Sequence, residues 1–327
     1  MKRELLYILA GGILLAACSR DADEPTRREL SFTTGLTDST GAAPTNTPAA
    51  RGTDGTPVTG AGLKTEGNTF AVYSEYSLGS QPVQTFDNQP QAVTYAGGGW
   101  TYAPKKAWVN SANYKFRAYY PSTAAVEGTT SSANLLTVEY NIARDNFDLL
   151  VAYAERYPAA EGYGAVTMPF KHALAALRFE IKYDDDVNTT DRVTKAYLRD
   201  ICVVGLMTFG GTPSDRIVWY KSYSDTEPRY TWEGVKEFGA GNTRKATVYD
   251  GEGIVFAIPQ AVGEKTTAFH FLTEAEGNTP HVAYIPAVTW EPGKVYTYTI
   301  TLSGSALHVA VSIKEWKTIR SNADIYI

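Results

Sequence analysis

The sequence predicts an all-β protein, and three features predict it. Apolar and polar residues alternate with a period of two through most of the chain after Thr69. Turn-forming residues recur every 8–12 positions or so, the spacing of a sandwich or barrel. The 22 Tyr, 28 Gly and 16 Pro, with many Thr and Val, suit pleated strands joined by frequent turns. No helix-length run carries a clean period of about 3.6 residues, and no sequence repeat relates the two halves.

The chain starts with a segment of another kind. Lys2-Arg3 is followed by an apolar run from Leu5 to Ala17. A short positive region before an apolar run too short to span a bilayer reads as a secretory signal peptide. Its ending, Leu15-Ala16-Ala17-Cys18, marks a lipoprotein signal. Small residues let the peptidase approach the backbone, and the Cys18 thiol takes the diacylglycerol before the cut. The working protein is therefore expected to begin at a lipidated Cys18 on the outer side of a membrane. Acyl chains at about 0.8 kcal/mol per buried CH₂ make such an anchor stable.

Composition narrows the function. Loss of residues 1–17 removes Lys2, Arg3 and Glu4 and moves the net charge from −5 to −6. That balance argues against nucleic acid and against a polybasic membrane patch. Cys18 is committed to lipid, which leaves Cys202 alone in an apolar run. It reads as a small buried hydrophobe, and stability must come from core area rather than an intrachain disulfide. The mature length is long for one domain and comfortable for two.

The elements follow in order. Ser19–Arg28 is a polar tether. Leu30–Thr34 reads as a short strand with Leu30, Phe32 and Thr34 on one face. Thr37–Thr69 is rich in Gly, Thr, Pro and Ala and cannot bury a core; within it, Arg51 lies among small residues, open to a trypsin-like protease. Tyr114, Phe116, Ala118 and Tyr120 share one face of a strand, with Lys115, Arg117 and Tyr119 on the other. Strands are expected at Asn134–Tyr140 and Phe147–Tyr153, with a helical turn over His172–Ala176. Leu177, Phe179, Ile181 and Tyr183 alternate with Arg178, Glu180 and Lys182, as in a half-buried antiparallel strand. Asp184–Asn188 breaks the pattern and marks a domain boundary. Ala196–Val204, Ile217–Lys221, Ala246–Tyr249, Ile254–Ile258, Thr267–Leu272, His281–Ile285, Val295–Leu302 and His308–Ile313 read as the second set of strands. Trp316 is out of phase with Val309, Val311 and Ile313, so a bulge at Lys314-Glu315 is expected to turn it inward. In the tail, Ala323, Ile325 and Ile327 alternate with Asp324 and Tyr326, as in an edge strand or an arm for another chain.

Candidate catalytic groups are sparse, and no enzymatic role, cofactor or metal is expected. His172, His270, His281 and His308 lack partners at metal-ligand spacing. Asp184–Asp186 lacks the alternating oxygen ligands of a calcium loop. Gly239–Asn242 lacks the strand-then-helix context of a phosphate loop, and no nucleophile elbow occurs. The Trp and Tyr residues suit core or interface as well as a sugar platform, so a monomeric glycan-binding lipoprotein is the alternative reading.

The ordered landmarks are Asp148-Leu149-Leu150-Val151-Ala152, Phe170-Lys171-His172-Ala173-Leu174-Ala175, Ile258-Pro259-Gln260, Trp290–Tyr298 and Ile313-Lys314-Glu315-Trp316. In order and spacing the chain resembles the fimbrillin family, the lipoprotein-precursor subunits of type V pili. The resemblance implies two tandem transthyretin-like antiparallel β-sandwich domains. It implies a signal peptide at 1–17, a tether and removable first strand at 18–51, and sandwiches at 52–185 and 186–327. Cys18 matches the lipidated cysteine, Leu30–Thr34 the removable strand, and Arg51 the protease cut, with Arg27 and Arg28 as runners-up. Ala323, Ile325 and Ile327 match the donor strand. The implied partners are other fimbrillin subunits, a trypsin-like processing protease and the outer membrane through lipid. The implied location is the cell surface and its fimbriae, as a stalk subunit or as an anchor or tip accessory.

Overall fold

The computed structural model describes residues 28–36, 58–126, 131–145, 147–184, 191–238, 245–249, 253–263, 265–303 and 306–316. Among them are twenty-two strands and two single-turn helices. The first half holds β1 (Phe32–Leu36), α1 (Gly60–Leu63), β2 (Thr69–Leu78), β3 (Gln81–Gln84), β4 (Gln91–Ala96), β5 (Gly99–Thr101), β6 (Asn113–Tyr120), β7 (Leu135–Asn141), β8 (Leu150–Arg156), α2 (Pro158–Glu161) and β9 (Val166–His172). The second half begins with β10 (Ala175–Tyr183), β11 (Arg192–Arg199), β12 (Ile201–Gly210), β13 (Ile217–Asp225), β14 (Arg229–Glu237) and β15 (Lys245–Thr247). It ends with β16 (Ile254–Ala257), β17 (Ala261–Val262), β18 (Ala268–Thr273), β19 (His281–Tyr284), β20 (Val288–Thr289), β21 (Lys294–Ser303) and β22 (Ala306–Glu315). The chain is all-β, as its period-two pattern requires.

The strands build four main sheets. The first has the order β1-β9-β8-β6-β2-β4-β5, with β3 on β2. The second is β15-β10-β21-β22, with β16 also on β10; the third is β14-β11-β18-β19; the fourth is β13-β12-β7. Most neighbours are antiparallel, but β1–β9 and β10–β21 are parallel. β10 is therefore not the expected antiparallel strand with a solvated charged face. It lies inside a mixed sheet, and its Glu180 is buried beside Arg178 and Lys245.

Three cores join these sheets. One, on Phe179, Phe269 and Tyr298, lies between the second and third sheets. Another, on Phe32, Phe70, Phe116 and Phe170, covers one face of the first sheet. The third includes Tyr73, Tyr119, Val138, Met207, Phe256 and Trp316, and packs the opposite face of the first sheet against the fourth. The first sheet is thus covered on both sides, and Arg117 and Tyr119, on the second face of β6, are buried as well as the residues of its first face. The Arg117 guanidinium lies between the rings of Tyr153 and Phe209 and donates to the carbonyls of Ala133 and Ser214 at 3.2 and 2.7 Å. Burial pushes it down to about 10, so it remains charged at neutral pH.

β10, which precedes the expected boundary at 185/186, pairs with β15, β16 and β21, and β7 pairs with β12 across the same position. Two local expectations change. The chain passes from the first sheet to the second at Ala173-Leu174, where it bends at Leu174 without forming a helical turn; Ala173 N–H donates to Leu149 C=O at 2.8 Å. Trp316 is fully buried, but β22 pairs with β21 in unbroken register from Ala306 to Glu315. The strand ends there, and Trp316 N–H turns to Gly293 C=O at 2.8 Å, so no bulge is required.

The run expected as one strand at Ala196–Val204 is two strands in different sheets, hinged at Asp200 with φ +59°. A short polar side chain tolerates this left-handed geometry better than a branched one. Asp200→Val is expected to lower stability by about 1–2 kcal/mol in chemical denaturation, while Asp200→Gly is neutral or stabilising.

Candidate functional site

The candidate site is the slot filled by β1. Leu30, Phe32, Thr34 and Leu36 alternate along this segment, and all four side chains are buried. The strand expected from the sequence ends at Thr34; in the structure the alternation continues past Gly35 to Leu36. β1 runs parallel to β9, with Phe32 opposite Val166 and Leu36 opposite Phe170. Val166 N–H donates to Ser31 C=O at 2.8 Å, so by parallel-ladder geometry residues 166, 168 and 170 face β1 and Pro169 faces the other edge. Proline has no N–H to offer there, and β8 meets β9 only beyond it, at Leu150↔His172 and Val151↔Lys171.

The residues before β1 are held on their other side. Leu30 N–H donates to Lys106 C=O at 2.8 Å, and Trp108 N–H donates to Arg28 C=O at 3.0 Å. Glu29 and Ala107 form an antiparallel bridge. Tyr102 O–H donates to Leu30 C=O at 2.8 Å; burial pushes its phenol up, which keeps that donor in place. Trp100 Nε1–H donates to Thr34 Oγ1 at 3.1 Å in a buried contact. The Phe32 ring meets Phe70, Tyr102 and Phe116 edge-on at 5.7–5.9 Å between centroids. Trp100 and Tyr102 lie some seventy residues from β1 in sequence, and local periodicity gave no signal for them.

Removing this segment uncovers a defined slot. The freed groups include Val166 N–H, Trp108 N–H, Lys106 C=O, the Tyr102 hydroxyl and the Trp100 indole N–H. A buried polar group without a partner costs about 1–3 kcal/mol. Each large apolar side chain withdrawn forfeits about 1.5–3 kcal/mol of burial. The slot therefore favours a replacement strand that meets both demands.

The landmarks that carried the family resemblance converge elsewhere, on a buried junction. Asp148 accepts from Val58 N–H at 2.8 Å and from His172 Nδ1 at 3.0 Å. The His172 ring stacks on Trp316 at 4.1 Å and 1°. Gly293 N–H donates to Leu174 C=O at 2.9 Å, and Trp219 Nε1–H donates to Ala173 C=O at 2.8 Å. Gln260 and Trp290 exchange backbone bonds at 2.8 and 3.1 Å. These residues clamp the passage between the first and second sheets.

Cys18, Arg51, Ala323, Ile325 and Ile327 lie outside the described residues. Cys202 is buried with a free thiol that burial pushes up, and Gln260 Oε1 accepts its N–H at 2.9 Å. Among the described residues, no group of three or more His, Cys, Asp or Glu is placed to hold a metal ion.

The geometry defines a class: a layered β protein whose N-terminal segment seals its own core as a parallel edge strand. The model of the Fimbrillin-like family matches residues 56–316, and the chain belongs to that family. Solved structures share the fold. A candidate cell adhesion protein from Bacteroides uniformis ATCC 8492 aligns with TM-score 0.54 and 17% identity, over 90% of this chain and 100% of that one. A fimbrial protein from Bacteroides vulgatus ATCC 8482 aligns with TM-score 0.59 and 14% identity, over 76% and 93%. A candidate cell adhesion protein from Bacteroides ovatus ATCC 8483 aligns with TM-score 0.54 and 18% identity, over 89% and 98%. No curated protein matches the chain. β1 precedes the residues matched by the family model.

Proposed function

We propose that this chain is a structural subunit of a type V pilus at the cell surface, exported as a lipoprotein on Cys18, trimmed after Arg51 and polymerised by donor-strand exchange. The observation that carries the reading is β1: an edge strand whose inward side chains are all buried, followed by a Gly-, Thr- and Pro-rich linker that contains Arg51. A cut in that linker severs β1 from the rest without breaking any strand of the body. A strand from a neighbouring subunit then fills the slot by β-strand addition. Because donor and acceptor surfaces differ, the contact is heterologous and builds a filament. Ala323, Ile325 and Ile327 are the donor positions in this reading, and lipid on Cys18 ties the precursor to the outer membrane.

The surroundings of Arg28 favour Arg51 as the cut. The Arg28 carbonyl accepts from Trp108, Glu29 bridges Ala107, and the Arg28 guanidinium lies 4.4 Å from the Tyr163 ring centroid. A protease would have to pull that bond out of its pairing. A cut there would also leave β1 on the body.

Mild trypsin treatment of the lipid-free precursor is expected to yield a new N-terminus at Gly52, followed by SDS-resistant ladders. Arg51→Ala is expected to abolish both, as read by N-terminal sequencing and gel electrophoresis. Trimmed protein that stays monomeric at high concentration would overturn the polymerisation reading; ladders from the Arg51→Ala protein would overturn the cut site.

A further inference from the structure

Among the described residues no Trp or Phe is exposed, and the exposed tyrosines are Tyr157, Tyr220, Tyr223 and Tyr284. Two of them lie on one strand, β13, at 56% and 57% exposure. A spacing of three puts side chains on opposite faces of a regular strand, so the sequence hides Tyr220 and Tyr223 as a pair. The ladder between β12 and β13 shifts twice, between Cys202 and Val204 and between Val204 and Gly205. The second shift takes up Ser222 as an extra residue on β13. Tyr223 therefore lies opposite Val204, and Tyr220 opposite Leu206. Val204 and Leu206 are two apart and share a face, so the bulge brings both tyrosines to that face. A Cβ on Gly205, between them, would meet Ile258 and Trp219 at 2.9 and 3.1 Å on the side of the third core. Val204 and Leu206 point away from that core, and the tyrosines with them.

The two rows continue onto β7, where Leu206 lies opposite Glu139 and Val204 opposite Asn141. Each row thus reads aromatic, aliphatic, polar. The charges at the border are paired, Glu139 with Arg144 and Asp225 with Arg229. A pyranose with equatorial substituents matches this surface. It presents C–H groups on its faces and hydroxyls around its rim. Two tyrosines about 7 Å apart along the strand give apolar contact to successive sugar rings, while Glu139 and Asn141 offer hydrogen bonds to hydroxyls. A protein partner fits less well. Two half-exposed tyrosines above half-buried aliphatics fall short of the roughly 800 Å² per partner that a standard interface buries. Paired border charges give an acidic or basic chain no complementary field.

We propose that the outer face of the fourth sheet, at Tyr220 and Tyr223, binds a neutral β-linked oligosaccharide of equatorial sugars through its C–H faces. The site is separate from the slot, because β13 is an edge of the fourth sheet and β1 an edge of the first. Sugar binding is therefore read in the uncut chain, whether or not strand exchange occurs.

Saturation-transfer NMR of the uncut, lipid-free chain tests this with cellotetraose, xylotetraose and N-acetylchitotetraose as probes. A heparin-derived tetrasaccharide is the anionic comparison. At least one neutral probe is expected to bind with a Kd near about 1 mM, with the axial ring protons receiving most saturation. Tyr220→Ala and Tyr223→Ala are each expected to weaken binding about tenfold, from the lost ring contact. Tyr220→Phe keeps the ring and should stay within about threefold of wild type. Tyr284→Ala, on another sheet, should leave binding unchanged. All four positions are exposed, so the variants keep the fold. Failure of every neutral probe to bind overturns the proposal, as does binding that survives both alanine changes. Preference for the anionic probe overturns the neutral class. Loss of self-association, rather than of sugar binding, in Tyr220→Ala would make the patch a contact between copies and overturn the sugar site.

Discussion

Phe32→Ala is expected to destabilise the uncut chain by about 3–5 kcal/mol, the usual cost of deleting a buried aromatic ring. Phe32 is 5% exposed and makes edge-on contacts with the rings of Phe70, Tyr102 and Phe116. Truncation leaves a cavity that Phe70, Tyr102 and Phe116 cannot fill, because each is already held by other aromatic neighbours. Urea denaturation of the full chain reads this loss directly. The decisive comparison comes after the linker is cut and the β1 fragment removed. The Phe32→Ala and wild-type bodies are then the same molecule, and their denaturation midpoints should coincide. A difference that survives removal would mean that β1 had not left the core, and would overturn its role as a removable strand. Thr33→Ala, on the half-buried opposite face, is expected to stay within about 0.5 kcal/mol.

How much of this was legible in the sequence differs by level. Strand existence was open to reading because alternation is local: the period of two at Leu30, Phe32 and Thr34, and again along β21, survives in the buried faces of the folded chain. Strand partnership was not. A parallel pairing such as β10–β21 joins segments more than a hundred residues apart, and periodicity carries no information about which edge meets which. The number of layers was also hidden. Arg117 looks like an outward residue on β6 until the fourth sheet closes over it, and its charge is accommodated by two carbonyls and two rings contributed from distant segments. The slot shows the same division. Its occupant could be read from one short alternating run, whereas Trp100 and Tyr102, which hydrogen-bond to it, are placed there by β5 and the residue that follows it.

The landmark motifs were legible as landmarks but not as a structure. Asp148, His172, Gly293 and Trp316 are scattered over much of the chain, yet they meet where the first sheet hands over to the second. Their spacing reflects a requirement of the junction rather than of a binding surface. The same junction receives Val58, the first described residue after the linker. The clamp that joins the sheets is therefore also the point where the chain re-enters the body behind β1.

That arrangement sets a second large effect. Asp148→Ala is expected to lower stability by about 3–5 kcal/mol, because removing one member of a buried, hydrogen-bonded pair strands the other. Asp148 is fully buried, and its carboxylate accepts from both Val58 N–H and His172 Nδ1; the alanine protein leaves two buried donors without this acceptor. Asp148→Asn keeps the volume and one acceptor oxygen and should fall between the two. An exposed comparison is available in Asp87, which pairs with Lys106 while 72% exposed; Asp87→Ala should change stability by less than about 1 kcal/mol. Stability alone would not separate a clamp on Val58 from a general packing role, so amide exchange supplies the second readout. Under native conditions the Val58 amide should exchange much faster in Asp148→Ala than in a variant of equal stability made elsewhere in the core, such as Phe179→Leu. Equal exchange in the two would show that Asp148 serves only the His172 side of the junction. Faster exchange confined to Val58 and its neighbours would mean that this carboxylate anchors the start of the body on which the slot is built, whether β1 or a replacement strand lies in it.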